Sequence, residues 1–342
     1  FNTSQPTDSF TLAMNNSTPE RSTNPFELPS DIATMVIGIF GVITNGILLL
    51  IMFLDPFKCF RRPSMYFVIS LAFSDLSTGI ASCMFAWRKY VTSEYFSKVA
   101  TLAVWASVGN SFVTILLMAI ERYIVIRYPM KAKSIITTRR IFIAIASTWV
   151  VSTILGAGVS FSESFTNYFK FGVLIECFLI VLVMLIIYVR MTVLLRKSSK
   201  IFRVKQFSRH SSTEHGKKPK DAAYQRSLNM VVFYLALVLI ITVLPHLIIG
   251  QIYLGYMFFY PTHDRPVTLI YAPYISFPVE LLNFVLNPVI YAYRLPQFRK
   301  ALCYYLQRKT KKKRHEESIL KFNRHRNSAK RDHATASDEV MI

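Results

Sequence analysis

VATLAVWASVGNSFVTILLMAIERYIVI, residues 99–126, is the stretch on which the fold turns. It is long enough to cross a bilayer, which takes about 20 predominantly apolar residues. Yet it carries Ser107, Asn110, Ser111, Glu121 and Arg122. Polar groups are costly in hydrocarbon, so a helix bearing them belongs inside a bundle, screened from lipid by more apolar neighbours. Six such neighbours are present, at about Ile32–Leu54, Met65–Trp87, Ile141–Phe161, Phe169–Leu194, Leu228–Met257 and Thr268–Tyr293. The expected fold is an all-α integral membrane protein, a seven-transmembrane helix bundle.

Composition agrees. The 342 residues are 52% hydrophobic and only 17% charged, against about 25% charged in an average soluble chain. The net charge of +21 raises nucleic acid as a partner, but the basic residues lie in loops between apolar spans, where they set topology. Lys and Arg number 32 in the segments 58–62, 127–140, 196–226 and from Arg294 onward, against six in the opposite set of loops. That asymmetry predicts a plasma-membrane protein with its basic side cytoplasmic and its N-terminus outside. Contact of the basic loops with anionic lipids is a secondary expectation.

Outward from the spans, residues 1–31 form a polar N-terminal segment without a signal-peptide core, so the first span is expected to direct insertion. Asn2, Asn15 and Asn16 each begin an N-glycosylation sequon there. The receptor-like core runs over 32–307 and includes a basic loop, 196–226, expected to be disordered like the tail 308–342. After the seventh span, Pro296 to Gln307 reads as a short amphipathic helix on the membrane surface. It sets Phe298, Leu302, Tyr305 and Leu306 against Arg299, Lys300 and Arg308. Cys303 on it is either a palmitoylation site or a small hydrophobe. None of the four cysteines falls in an outer loop, so no extracellular disulfide is expected, and no metal spacing appears. The terminal Val340-Met341-Ile342 suits strand addition to a PDZ domain.

The polar residues inside the spans separate receptor from transporter or enzyme. Asn45 lies in span one, Asp75 in span two, Glu121-Arg122-Tyr123 at the end of span three and Trp149 in span four. Tyr188 lies low in span five, Pro245 within span six, and Asn283 with Asn287-Pro288-Val289-Ile290-Tyr291 in span seven. Asp75 is a carboxylate near mid-membrane and needs a partner or a proton. Ser111, Asn283 and Asn287 supply oxygens at similar depth, and the set either holds a hydrated cation or closes as a neutral hydrogen-bonded cluster. Pro245 and Pro288 each remove a backbone hydrogen bond and kink their helices. The runner-up, a transporter or channel, calls for internal repeats with broken helices, and none is visible. H-E-x-x-H and G-x-S-x-G motifs are absent, so an enzyme is not expected.

Taken in order, these motifs resemble the signature of class A, rhodopsin-like, G-protein-coupled receptors over about Ile32 to Gln307. The resemblance implies a heterotrimeric G protein as partner, with arrestin as another. It implies that Glu121 restrains Arg122 at rest and that Arg122 turns inward on activation, supported by Tyr188 and Tyr291. It assigns Asp75, Ser111, Asn283 and Asn287 to an allosteric sodium pocket; no other cofactor is implied.

Departures narrow the branch. Val243 stands where the family usually has a tryptophan, and Gln225 replaces the acid that locks the arginine, which predicts raised basal activity. Ser97 replaces the usual cysteine atop span three, and Ile180 the usual proline of span five. These features look like the branch with melanocortin, cannabinoid, lysophospholipid and adenosine receptors. Leu281 removes the Schiff-base lysine of opsins, Val104 the aspartate of amine receptors and Gly250 the asparagine of adenosine receptors. The expected ligand pocket comprises Val104, Glu176, His246, Phe277 and Glu280. Two glutamates there favour a peptide or other cationic ligand, unless one is protonated or pairs with His246.

Overall fold

The computed structural model describes residues 25–58, 60–162, 165–208, 219–260, 266–305 and 307, with backbone alone over 195–208 and 219–226. The order is α1 (Glu27–Leu54), α2 (Pro63–Trp87), a 3-10 turn (Arg88–Tyr90), α3 (Glu94–Arg127), α4 (Ala132–Ile135) and α5 (Thr138–Phe161). There follow α6 (Thr166–Ser208), α7 (Pro219–Thr242), α8 (Leu244–Phe259) and α9 (Val267–Arg294). A last helix, α10, covers residues 296–305. Seven of the resulting segments are long and apolar enough to span a membrane, with α7 and α8 together forming the sixth.

Local chemistry sets the ends. Pro63 opens α2 after the extended Arg62, a position where its missing N–H and fixed φ cost nothing. Ser93 caps α3 by accepting a 3.3 Å hydrogen bond from the Phe96 amide, and Thr137 does the same for α5 from Arg140 at 3.4 Å. In span six the helix breaks at Val243, between Thr242 and Leu244. Pro245 has no N–H to donate to the Ile241 carbonyl, so the ladder is interrupted one turn earlier.

The polar residues of the spans lie inside the bundle, among buried apolar ones, and the outside is apolar. Asn45, Ser74, Asp75, Asn110, Ser111, Thr114, Asn283 and Asn287 are fully buried, whereas Phe40, Leu50, Phe142, Ile154, Ile186 and Ile241 are exposed. A water-soluble fold would invert this; a lipid-facing one requires it. Helix α3 packs against α2, α5, α6 and α7, and α9 closes the ring onto α1. Spans one and two approach so closely that a Cβ on Gly79 would lie 2.8 Å from the Gly38 carbonyl oxygen. Small residues at such crossings let backbones meet.

Two features differ from expectation. The fifth span continues as helix to Ser208 and the sixth begins at Pro219, so much of 196–226 is helical. Lys, Arg and Leu are good helix formers, and a helix leaving the membrane needs no apolar face to persist. The second concerns α10: Phe298 and Ala301 are buried, while Arg299 and Lys300 are exposed, so its apolar side packs on the bundle as well as facing the membrane plane. Asn2, Asn15, Asn16, Cys59, residues 209–218, Arg308 and the Val340-Met341-Ile342 terminus lie outside the described residues.

Candidate functional site

Three stations follow one another along the bundle axis. The first is a cavity of about 300 Å³ at the end where α1 begins. One side is apolar: Val104, Val108 and Phe112 of α3, Val173 and Leu174 of α6, and Leu247 of α8. The other side carries Ser30, Asp31, Arg88, Lys89 and Tyr274. Of the expected pocket residues, Val104, His246, Phe277 and Glu280 line this cavity. Glu280 is 4% exposed and lies 3.2 Å from His246 Nε2. His246 Nδ1 is 2.8 Å from Ser276 Oγ. The imidazole thus bridges an acid and a hydroxyl on α9, and Phe277 packs 5.8 Å from it, ring to ring.

Glu176 is a correction. It lines not this cavity but an adjoining narrow crevice with Ser152, Gly156 and Ile180, between α3, α5 and α6, whose wall shares Trp105, Gly109, Val173 and Cys177 with the cavity. Only Glu280 lines the cavity itself, and it already has a basic neighbour. The relative rotation of α6 and α9 decides this, and a sequence read span by span does not contain it.

The second station is the mid-bundle polar cluster. Asp75 Oδ1 accepts from Ser111 Oγ at 2.8 Å, and Oδ2 accepts from Asn287 Nδ2 at 2.7 Å. Beside them Asn110 donates to Ser74 Oγ at 3.1 Å, and Ser74 donates to the Ser107 carbonyl at 2.9 Å. Asn45 donates to the Gly41 and Phe284 carbonyls, both at 3.0 Å. Both amide atoms of Asn283, and Oδ1 of Asn287 and of Asn110, are buried without a hydrogen-bond partner among the described residues. Buried polar atoms are normally satisfied, so this cluster retains unused oxygen acceptors around one carboxylate, a donor set that suits a hard cation. No group of three or more His, Cys, Asp or Glu that could hold a metal ion occurs among the described residues, so the candidate is the Asp75 carboxylate with amide and hydroxyl oxygens around it.

The third station lies at the basic end. Arg122 is 1% exposed. Its Nε donates to Glu121 Oε2 at 2.6 Å, and Nη2 donates to Glu121 Oε1 and to Ser64 Oγ, the latter at 2.8 Å. Ser64 in turn donates to Glu121 Oε1 at 2.7 Å. A serine on α2 therefore closes a three-membered clamp. Sequence reasoning missed Ser64, because a serine just after a helix-opening proline reads as an end residue. Tyr123 is half-buried beside the clamp. The Tyr188 and Tyr291 hydroxyls are buried without hydrogen-bond partners among the described residues. Tyr291 is fully buried, and the Tyr188 ring packs edge-on against Phe233 at 5.9 Å. Arg294, past Pro288 and Tyr291, donates to the Tyr234 hydroxyl of α7. Cys303 is exposed on α10.

Between the stations, Val243 is fully buried. Phe112, which lines the cavity, stacks on Phe284 of α9 with ring centroids 6.2 Å apart and 15° between planes.

The sequence profile of the family described as 7 transmembrane receptor (rhodopsin family) matches residues 44–291. The chain is 24% identical over 293 residues to adenosine receptor A3 of Ovis aries, covering 78% of this chain and 86% of that protein. It is 26% identical over 309 residues to cannabinoid receptor 1 of Xenopus laevis, covering 79% of this chain and 61% of that one. The crystal structure of squid rhodopsin shares the fold, with a TM-score of 0.67 at 19% identity, over 82% of this chain and 85% of that one.

Proposed function

The chain belongs to the rhodopsin family of seven-transmembrane receptors, as a multi-pass plasma-membrane receptor coupled to G proteins, and from that premise we propose how its three stations divide the work. The α1 end faces outward and the cavity takes an extracellular ligand. The Arg122 clamp, on the cytoplasmic side, is opened by the G protein. The excess of Lys and Arg on the clamp side supports this orientation.

At rest, Glu121 and Ser64 hold Arg122 within α2 and α3. On activation the guanidinium leaves Glu121 and points into the bundle, where the unpartnered hydroxyls of Tyr188 and Tyr291 offer new acceptors. The break at Val243 and Pro245 lets α7 swing relative to α8 without disturbing the cavity wall. Asp75, Ser111, Asn283 and Asn287 would hold a hydrated sodium ion, whose charge neutralises the Asp75 carboxylate. Arrestin is the expected second partner of the cytoplasmic face. Glycosylation at Asn2, Asn15 or Asn16, palmitoylation of Cys303 and a PDZ partner at the C-terminus complete the proposal on sequence grounds alone.

The observation that carries the reading is the burial of Arg122 in a clamp with Glu121 and Ser64, partners it can exchange. The test is G-protein activation in cells expressing the full chain, read with a panel of subtype sensors and with Arg122→Ala as control. A signal above the Arg122→Ala level supports coupling through Arg122. Equal signals under every stimulus, at matched surface density, would remove the reading.

A further inference from the structure

The charges of the cavity do not balance in the way the two glutamates suggest. Its acids are committed: Lys89 Nζ lies 2.5 Å from Glu27 and 2.9 Å from Asp31, and His246 stands against Glu280 at 3.2 Å. Arg88 is different. Its guanidinium donates to the Phe85 carbonyl and lies over the Phe85 ring, 3.5 Å from the centroid. Asp31 and Glu27 act on it electrostatically, but among the described residues it forms no ion pair. The carboxylates nearest to Arg88 are thus already held by Lys89, which leaves the Arg88 charge at the mouth without an ion-pair partner among the described residues.

The same cavity is divided by polarity. Arg88 borders Phe85, which packs 5.6 Å from Phe277. Beyond that aromatic pair lie Val104, Val108, Phe112, Val173, Leu174 and Leu247. A guanidinium flattened on an aromatic ring keeps its outer N–H donors for a planar anion. The apolar floor behind it rewards burial of hydrocarbon at about 25 cal/mol per Å².

Resting on the receptor reading above, we propose that the cavity takes an amphiphilic monoanion, its headgroup on Arg88 at the mouth and its apolar chain running past Phe85 and Phe277 toward Phe112. A carboxylate and a phosphate monoester share this chemistry. A cationic ligand meets the opposite: Arg88 repels it, and Glu280 receives it only by giving up His246.

The experiment uses the full chain in two readouts. The first is G-protein activation in cells by oleate, lysophosphatidate, methyl oleate and oleylamine, on wild type, Arg88→Gln and Arg88→Lys. The second is the unfolding temperature of the purified chain in nanodiscs with the same four compounds, which does not depend on any G protein because ligand binding stabilises by mass action. The proposal expects oleate or lysophosphatidate to raise that temperature in wild type, with whichever is stronger naming the headgroup. Arg88→Gln should lose roughly tenfold to a hundredfold in potency for the anion, the scale of a charge-assisted hydrogen bond, while Arg88→Lys, which keeps the charge but neither the planar fork nor the stack on Phe85, should fall between the two. Stabilisation without signalling would sustain the ligand class and sink the receptor step. No stabilisation by either anion, an equal response to methyl oleate, a preference for oleylamine, or an Arg88→Gln variant as sensitive as wild type would each overturn the proposal.

Discussion

Removing one hydroxyl from α2 should switch the receptor partly on. Ser64 makes two contacts in the clamp, donating to Glu121 at 2.7 Å and accepting from Arg122 at 2.8 Å. Both involve charged partners, and such bonds contribute roughly 1.5–3 kcal/mol each. In Ser64→Ala the Glu121 carboxylate keeps both bonds from Arg122, so the pair survives but its anchor on α2 is gone. The loss falls on the resting state, since a released Arg122 no longer touches Ser64. Taking about 1.5 kcal/mol as the net change after partial compensation, the ratio of active to resting receptor rises about tenfold. A receptor active about 1% of the time would become active about 10% of the time. The assay is ligand-free G-protein activation per receptor at the surface, with wild type, Glu121→Gln and Arg122→Ala alongside. Glu121→Gln should also raise the signal, and adding Ser64→Ala to it should change little, because the serine acts through the carboxylate. An unchanged or lower basal signal in Ser64→Ala, at equal surface density, would refute the clamp. Gln225 carries no charge with which to hold Arg122, so the wild type should itself signal above Arg122→Ala; equality there would sink the expectation of raised basal activity.

Other perturbations test the remaining stations. Asp75→Asn leaves one acceptor where Ser111 and Asn287 now find two; replacing sodium by choline in the medium should alter the wild-type signal and leave the variant's unchanged, and a variant still sensitive to sodium would remove the ion from the cluster. Gly79→Val should sharply lower surface expression, because the new Cβ meets the Gly38 carbonyl at 2.8 Å and the Val42 amide nitrogen at 3.0 Å; normal expression would mean that α1 and α2 do not cross this tightly. His246→Ala should destabilise the purified receptor by roughly 1–3 kcal/mol, the usual cost of leaving a buried polar group without its hydrogen-bond partner, and adding Glu280→Leu should recover most of it, whereas additive losses would show that the two residues do not act as a pair.

The legible parts of this chain are those where polar residues interrupt hydrocarbon. Asp75, Asn287 and Arg122 stand out because nothing else explains a charge or an amide in such a segment, and the structure brings Asp75, Ser111 and Asn287 within hydrogen-bond reach. The spans were legible for the same reason, since a bilayer imposes a length. What stayed hidden depends on rotation and register between helices. Glu176 and Glu280 look equivalent along their own spans, yet one enters the cavity and the other a crevice behind α3. Ser64 needed α2 to be set against α3 before its role appeared. Arg88 and Lys89 counted only as charges in a loop, and only the fold shows one paired and the other stacked on an aromatic ring. The helical extension of α6 to Ser208 was hidden because a helix in water with no buried face leaves no apolar period to read.

The missing tryptophan becomes intelligible in the same terms. A residue at the Val243 position that connects cavity to polar cluster must reach both, and a buried valine is too short to do so. Phe112 makes the connection from the other side. It lines the cavity and stacks on Phe284, whose backbone carbonyl accepts from Asn45 and whose chain neighbour is Asn283, the amide with no hydrogen-bond partner among the described residues. A ligand chain that displaces Phe112 must therefore either move Phe284, and with it the stretch of α9 between Asn283 and Asn287, or break the stack. Close-packed interiors favour the first, since a void between two aromatic rings forfeits their dispersion contacts. Movement of α9 at Asn287 reaches Asp75 through a 2.7 Å hydrogen bond, so a chain of contacts from cavity to cluster runs through α3 and α9.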